Sequence, residues 1–345
     1  MPNEVTLHVN GKEISGWDSV RITKSLEQLA HEFELGLTNS RIGTITKDDV
    51  LDVAGTITQD DEVRVDVDGQ TVITGYVSRI SLNYDSDSVA YRVAGESKTI
   101  DLIDSSVIRK GHAWADAALS VIALDLCEGQ DIQVSVAGDE SPNFKRFRCE
   151  PGERRFEALS RLCEMRGFLP TTGPDGGLEI LRASDTPSGA VIELGVNVLR
   201  CEVERSNRER FSAYLFKGQT SASDDWSGKE ASQLKGEVED SGVSRYRPLV
   251  ILGPKQRTKD DLGKRAVWER NVRAGRSLRA RYRVPGWFAS NGQLWEPNLL
   301  VTVKDDWSEI NQDMLVTRVD LTLADGEDEH VAQLELMDRA AFDIL

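Results

Sequence analysis

The residue types that most often carry chemistry are scattered along this 345-residue chain. The four histidines are His8, His31, His112 and His330. None forms the H-x-x-x-H or H-E-x-x-H pair that would set two imidazoles on one helix face for a metal. His8 and His330 alternate with strand residues and read as ordinary strand positions. The four cysteines, Cys127, Cys149, Cys163 and Cys201, contain no C-x-x-C and fit no zinc spacing. Cys127 and Cys163 fall on the apolar faces of predicted helices, so the set reads as reduced, buried thiols. No G-x-S-x-G nucleophile elbow is present. Gly253 stands too far from Gly263-Lys264 for a phosphate loop, and Arg265 sits where a Ser or Thr would touch magnesium. Asp66-x-Asp68-Gly69 opens like a calcium loop but lacks the third ligand and the later Glu, so it reads as a hairpin turn. With 58 acidic residues, two carboxylates near each other in sequence say nothing about the opposed pair that glycoside hydrolysis needs. No catalytic, cofactor-binding or metal-binding residue is therefore assigned, and the chain is expected not to be an enzyme.

One charge anomaly stands out. The chain carries a formal charge of −16, yet residues 264–283 hold Lys264, Arg265, Arg270, Arg273, Arg276, Arg279, Arg281 and Arg283 against Glu269 alone. Such a run is either a solvated face paired with acids elsewhere or a contact surface, since guanidinium forks bind carboxylates bidentately. Arg270, Arg273, Arg276, Arg279 and Arg281 are the candidate interface residues. Trp287, Trp295 and Trp307 follow in a β-rich stretch, where core packing is favoured over a sugar-binding platform. The acidic balance excludes tight nucleic-acid binding over the whole surface, because neutralising phosphates needs cationic clusters.

The elements that must position these residues are mostly strands. Val5-Thr6-Leu7-His8-Val9 alternates apolar and polar, and Asn10-Gly11 is a hairpin turn. A short helical turn capped by Ser25 is expected over 25–30. Alternation returns at 33–37, at 63–67 and, after Asp68-Gly69, through 72–93. Helical spacing of Trp114, Ala117, Ala118, Val121, Leu124 and Leu126 predicts a helix over 112–127. A second helix is expected over 152–166, with Phe156, Leu159, Leu162 and Met165 on one stripe, begun by Pro151-Gly152 and ended by Gly167. Residues 168–181 form a hairpin around Gly173-Pro174-Asp175-Gly176-Gly177. Residues 190–216 read as strands and 217–245 as a mobile polar loop. A helix is expected over 259–275 with Leu262, Ala266 and Val267 on its apolar side, and the chain is β-rich after Pro285-Gly286. No apolar run reaches the roughly 18 residues of a membrane helix. Met1-Pro2-Asn3-Glu4 enters a strand pattern without a basic or apolar leader, which predicts synthesis and folding in a cytoplasm.

Two segments repeat. Gly75-Tyr76-Val77-Ser78-Arg79-Ile80-Ser81-Leu82 matches Met314-Leu315-Val316-Thr317-Arg318-Val319-Asp320-Leu321. Each runs into an acidic turn and ends in a similar tetrapeptide, Ile100-Asp101-Leu102-Ile103 or Phe342-Asp343-Ile344-Leu345. Upstream, Val20-x-Ile22-x-x-Ser25 followed by Phe33 echoes Cys201-x-Val203-x-x-Ser206 followed by Phe211. The pattern predicts an internal duplication. The expected fold class is α+β, mainly β, with two similar small antiparallel β-barrel-like domains plus an α+β domain. The expected boundaries are 1–99 for the first barrel-like domain, 100–185 for the α+β domain, and 186–216 with 286–345 for the second barrel-like domain. Residues 217–285 are an inserted polar loop and Arg-rich helical segment.

Trp17-x-x-Val20-x-Ile22-x-x-Ser25-Leu26-Glu27 and Phe33-Glu34-Leu35-x-Leu37-Thr38 resemble the opening of Mu-like contractile phage tail baseplate hub proteins. Trp268-Glu269-Arg270, Gly275-Arg276-Ser277, Val284-Pro285-Gly286-Trp287 and Gly292-Gln293-Leu294-Trp295-Glu296-Pro297-Asn298 extend the resemblance, as does the domain order. These are packing and turn residues. The resemblance implies a homotrimeric ring in the virion baseplate, assembled in the host bacterial cytoplasm, joining the tail tube to the central spike. It also implies a ring through which DNA passes without specific binding and no membrane insertion; the net charge of −16 adds the expectation of an acidic wall that repels phosphates. No cofactor is expected. Two barrels per subunit would give six similar units and adapt a six-fold tube to a three-fold spike. Under this reading the Arg cluster contacts another subunit or a tail protein. The alternatives are a host-surface or glycan-binding tail module, a secretion-system spike hub, or, third, a tail-associated cell-wall hydrolase.

Overall fold

In a computed structural model of the chain, the described residues are 4–39, 57–85, 89–108, 113–138, 140, 142–217, 235–252, 259–323 and 330–342. The turn residues 86–88 and 324–329, His112, Gly253, most of the 217–245 segment and the terminal 343–345 lie outside them.

The first hundred residues give β1 (Val5–Val9), β2 (Lys12–Ile14), β3 (Ser19–Ser25), β4 (Glu32–Asn39), β5 (Glu62–Val67), β6 (Gln70–Tyr84) and β7 (Val89–Ser97), then a short helix α1 (Ile100–Asp104). Asn10 and Gly11 both take left-handed φ, 50° and 73°, as do Asp68 and Gly69 at 48° and 77°. That geometry is what a two-residue hairpin demands. The helical turn expected at 25–30 does not form. Ser25 ends β3, and its Oγ accepts the Glu27 backbone N–H at 3.1 Å, closing a local turn in place of a cap.

The α+β segment contains β8 (Ala113–Ala117), α2 (Leu119–Leu126), β9 (Val134–Val136), β10 (Phe144–Arg148), α3 (Arg155–Glu164), β11 (Leu169–Thr172) and β12 (Leu178–Leu181). The helix expected over 112–127 is half strand. Residues 113–117 pair antiparallel with β10, and Asp116 turns left-handed at φ 48°. The shorter α2 buries Leu119, Ile122, Ala123 and Leu126, while Val121 and Leu124 point outward. Pairing with a distant strand overrode the local periodicity. Helix α3 begins later than Pro151-Gly152, at Arg155. The Glu157 carboxylate accepts the Arg154 backbone N–H at 3.0 Å, which satisfies one orphan donor. Leu159 and Leu162 are buried, Phe156 is half-buried and Met165 is exposed. This segment has its own core, including Cys127, Cys149 and Cys163, all free thiols. Burial pushes the Cys127 and Cys149 thiols up to about 11 and raises Cys163 as well, so they are held protonated and inert.

The rest of the chain supplies β13 (Pro187–Glu193), β14 (Arg200–Arg205), β15 (Ala213–Lys217), β16 (Lys235–Glu239), β17 (Pro248–Leu252), α4 (Lys259–Arg276), β18 (Leu278–Pro285), β19 (Leu300–Asp305), β20 (Ile310–Leu323) and β21 (His330–Met337), ending in a 3-10 turn at Arg339–Phe342. Two of these strands lie elsewhere than the sequence suggested. β15 pairs with β16 and β17 in a separate three-stranded sheet beside α4, and β18 lies inside the main sheet. Residues 235–239, expected in a loop, form β16. Gly236 lets that strand approach α4, for a Cβ there would stand 2.4 Å from the Leu262 carbonyl.

The main sheet has thirteen strands in the order β14-β18-β21-β20-β3-β4-β7-β6-β5-β1-β2, with β19 on β20 and β13 on β19. The expectation of two separate barrels is corrected here. No closed barrel forms among the described residues, because β3 pairs antiparallel with β20, from Ser25↔Arg318 to Val20↔Leu323. Strand β20 is 14 residues long, so its first part pairs with β19 and its second with β3. One apolar core, running from Val5 to Leu336, serves both halves.

The duplication is written in the registers. In the first half, Phe33 opposes Gly95, which opposes Val77. In the second, Ala280 opposes Leu336, which opposes Val316. The strand ladder β3-β4-β7-β6-β5 thus matches β14-β18-β21-β20-β19. Both halves carry a bulge at the same place, between Val77 and Arg79 and between Val316 and Arg318. The bulged hydroxyls act alike: Ser78 Oγ donates to the Ala94 carbonyl at 3.4 Å, and Thr317 Oγ1 to the Glu335 carbonyl at 3.1 Å. A shared bulge is a built feature, not a by-product of alternation. One proposed correspondence fails. The counterpart of Phe33 is Ala280, because the connection between Arg205 and Leu278 carries the whole inserted sheet and α4. Phe211 belongs to that insertion.

His31 is buried beneath this sheet, with its backbone N–H donating to Ser97 Oγ at 2.9 Å. Burial, aided by the charge of Lys24, holds its imidazole well below the usual value. The unfolded chain takes up that proton below about pH 6.5 while the folded chain does not. The unfolded state therefore binds more protons, and stability falls as pH drops through this window by about 1.4 kcal/mol per pH unit. Urea titrations at about pH 7.5 and pH 5.5 should show a larger loss for the natural chain than for His31→Gln. Equal losses would contradict the buried neutral state.

Candidate assembly interface

Helix α4 is anchored at two places: Leu262 and Ala266 pack with Phe216 in its first half, and Val272 and Gly275 are buried near its end. Val267, expected on the apolar side with Leu262 and Ala266, is exposed, about 100° round the helix from Ala266. Near its end the helix passes close to the C-terminal turn, where a Cβ on Gly275 would stand 2.3 Å from the Ala341 nitrogen. Beside these contacts Arg270 and Arg273 are half-buried and Arg276 is exposed. Strand β18 then alternates, sending Ala280, Tyr282 and Val284 into the core and Arg279, Arg281 and Arg283 to the opposite face.

Four of the five candidate arginines converge. Arg273, Arg276, Arg279 and Arg281 line one recess of about 450 Å³, with Glu204, Ser206 and Glu209 on its other wall. Arg270 is not among the lining residues and bonds the neighbouring Asn271 Oδ1 at 2.9 Å. The recess is not a uniform cationic patch. Arg273 pairs with Glu269 at 2.7 Å, while Arg279 and Arg281 both reach Glu335, at 3.3 and 3.0 Å. Glu335 sits on β21 opposite Arg281, nearly buried. Sequence reasoning missed this carboxylate. The signal available was its place in the alternation of β21, with Gln333 and Glu335 outward between Leu334 and Leu336.

The same mixture runs along this face of the sheet. Arg318 pairs with Asp320 at 2.9 Å and Arg79 with Glu34 at 3.0 Å, while Arg21 and Arg92 alternate with buried apolar neighbours. The face is mixed in charge. Trp287 and Trp295 are fully buried, as packing predicts, whereas Trp307 is 91% exposed at the β19–β20 turn. His330 stacks edge-on against Trp287 at 4.6 Å, and His8 Nε2 lies 2.9 Å from the Asp66 carboxylate. Among the described residues no group of three or more His, Cys, Asp or Glu is placed to hold a metal, and no helix is long and apolar enough to cross a membrane.

Residues 4–97 match the N-terminal domain of the Mu phage baseplate assembly protein GpP-like family. Residues 99–182 match the second domain of the baseplate hub protein gp44-like family, and 258–344 the fourth domain of the Mu phage baseplate assembly protein GpP. The 43 kDa tail protein of prophage MuSo2 from Shewanella oneidensis superposes with a TM-score of 0.86 and 32% identity, over 99% of this chain and 100% of that one. A tail protein from Neisseria meningitidis superposes with a TM-score of 0.84 and 20% identity, over 99% and 98%. The fold is thus that of a phage tail baseplate component, a structural protein and not an enzyme. The baseplate hub protein gp44 of Escherichia phage Mu is 36% identical over 335 residues, covering 95% of this chain and 86% of its own length. The chain belongs to the Mu phage baseplate hub family.

Proposed function

We propose that this hub protein forms a homotrimeric ring that joins the tail tube to the central spike and leaves a lumen for DNA. The observation that carries the reading is the internal seam: two register-matched halves lie side by side in one sheet, joined by β3 and β20. Each chain then supplies two of six similar units, so three chains form a pseudo-six-fold layer. Such a layer matches a six-fold tube above and a three-fold spike below. The interleaved arginines and carboxylates on the sheet face suit a conduit, since ion-paired guanidinium groups are already neutralised and offer phosphates no uncompensated cationic stripe. DNA then passes without specific binding, and no cofactor takes part.

Negative-stain class averages of the purified protein test this reading. Rings with a central hole and six similar blocks are expected, and solid compact particles would overturn it. The Arg recess serves the same assembly. Replacing Arg273, Arg276 and Arg279 together with alanine should shift the protein towards smaller species in sedimentation velocity while the melting temperature stays near that of the natural chain. An unchanged sedimentation profile, with tails assembling normally, would remove the recess from the interface.

A further inference from the structure

Among the described residues the duplication leaves two unlike strand edges open. At the internal seam, β3 of the first half binds the distal part of β20 in the second. The register equivalences make β14 the counterpart of β3 and the distal part of β6 the counterpart of distal β20. Yet among the described residues β14 pairs with β18 alone, and residues 79–84 of β6 with β7 alone. An open edge presents a row of backbone donors and acceptors ready for another chain. The apolar surface agrees. Leu321 is 0% exposed at the seam, while its counterpart Leu82 is 51% exposed, and Tyr84, at the counterpart of Leu323, is 77% exposed.

We propose that the distal edge of β6 in one copy pairs antiparallel with β14 of the next, repeating the internal seam, so that Tyr84 opposes Cys201, Leu82 opposes Val203 and Arg79 opposes Ser206. The partner is a second copy of this chain, and the proposal rests on the ring reading. The register follows from Leu323↔Val20, Leu321↔Ile22 and Arg318↔Ser25 at the seam. The polar contacts suit it as well. At the seam, Thr23 Oγ1 donates to the Asp320 carboxylate at 2.7 Å. At the proposed junction the two groups exchange strands, with Ser81 supplying the hydroxyl and Glu204 the carboxylate. Because the two edges differ, each copy adds head to tail and the contact closes a ring instead of a two-fold dimer.

A single substitution tests the register, because β14 already carries Cys201. Directly opposed residues of an antiparallel pair have Cα atoms about 4.5–5.5 Å apart, within disulfide range. In Tyr84→Cys under mild oxidation, the bulk of the chain should run as covalent dimer and trimer on a non-reducing gel. Asn83→Cys, whose side chain faces the other way, should stay single-chain, and Cys201→Ser in the Tyr84→Cys background should abolish the product. The double variant Leu82→Cys, Val203→Cys repeats the test one pair further along. Light scattering on the same samples separates the two claims. A trimer in which neither the Tyr84→Cys nor the double variant cross-links overturns this edge pairing and leaves the ring standing. A single-chain mass at every concentration overturns both.

Discussion

Replacing Trp287 with alanine should lower the stability of the isolated chain by about 3–5 kcal/mol, the range for emptying a well-packed core of its largest side chain. Trp287 is fully buried, and its indole N–H donates to the Thr322 carbonyl at 3.2 Å. Its ring meets the edge of His330 at 4.6 Å, so the substitution also removes an aromatic contact and leaves a backbone acceptor unpaired. The turn before it uses Gly286 at φ 74°, which fixes the entry of the indole and limits how far the site can collapse around a cavity. Trp307 provides the control, since its exposed ring should be worth no more than about 0.5 kcal/mol. Urea unfolding of both variants measures the difference. A loss below about 1 kcal/mol for Trp287→Ala would mean that the core around Trp287 is not packed as described.

Leu321 and Leu82 occupy the same place in the two halves, and alanine at each should give opposite results. Leu321 is fully buried at the seam against Ile22, so Leu321→Ala should cost about 2–5 kcal/mol in the isolated chain. Leu82 stands half in solvent on an open edge, so Leu82→Ala should change that stability by less than about 0.5 kcal/mol and act on assembly instead. Unfolding measurements at low protein concentration, paired with sedimentation at high concentration, separate the two effects. Equal destabilisation of the isolated chain by both substitutions would show that Leu82 is already covered within one copy.

Much of the local architecture was legible. Asn10-Gly11 and Asp68-Gly69 announced their hairpins because a left-handed pair of turn residues admits few sequences. The repeat around Ser78-Arg79 and Thr317-Arg318 announced the duplication, and the bulge behind those residues explains why the short motif is shared. Partner choice was not legible. Nothing near Ser25 in the sequence says that it opposes Arg318, nor that Val203 has Ala280 as its neighbour after an inserted sheet and helix. Period-2 alternation assigns a strand its faces and leaves its partners open. Hence Phe211 was matched where Ala280 belonged, and two barrels were expected where one sheet runs through. The Arg cluster was visible as a run of like charges, but the carboxylate that holds two of its members, Glu335, came from a strand distant in sequence. What read as a positive patch is a recess with acids built into its wall.

A closed ring of three is tested most directly by the mass of the protein in solution. Multi-angle light scattering across a concentration series should give the mass of three copies of the 38.3 kDa chain, unchanged as concentration rises above the assembly threshold. A mass that stays at one copy throughout, or that climbs without a plateau as an open filament would, contradicts a closed ring of three.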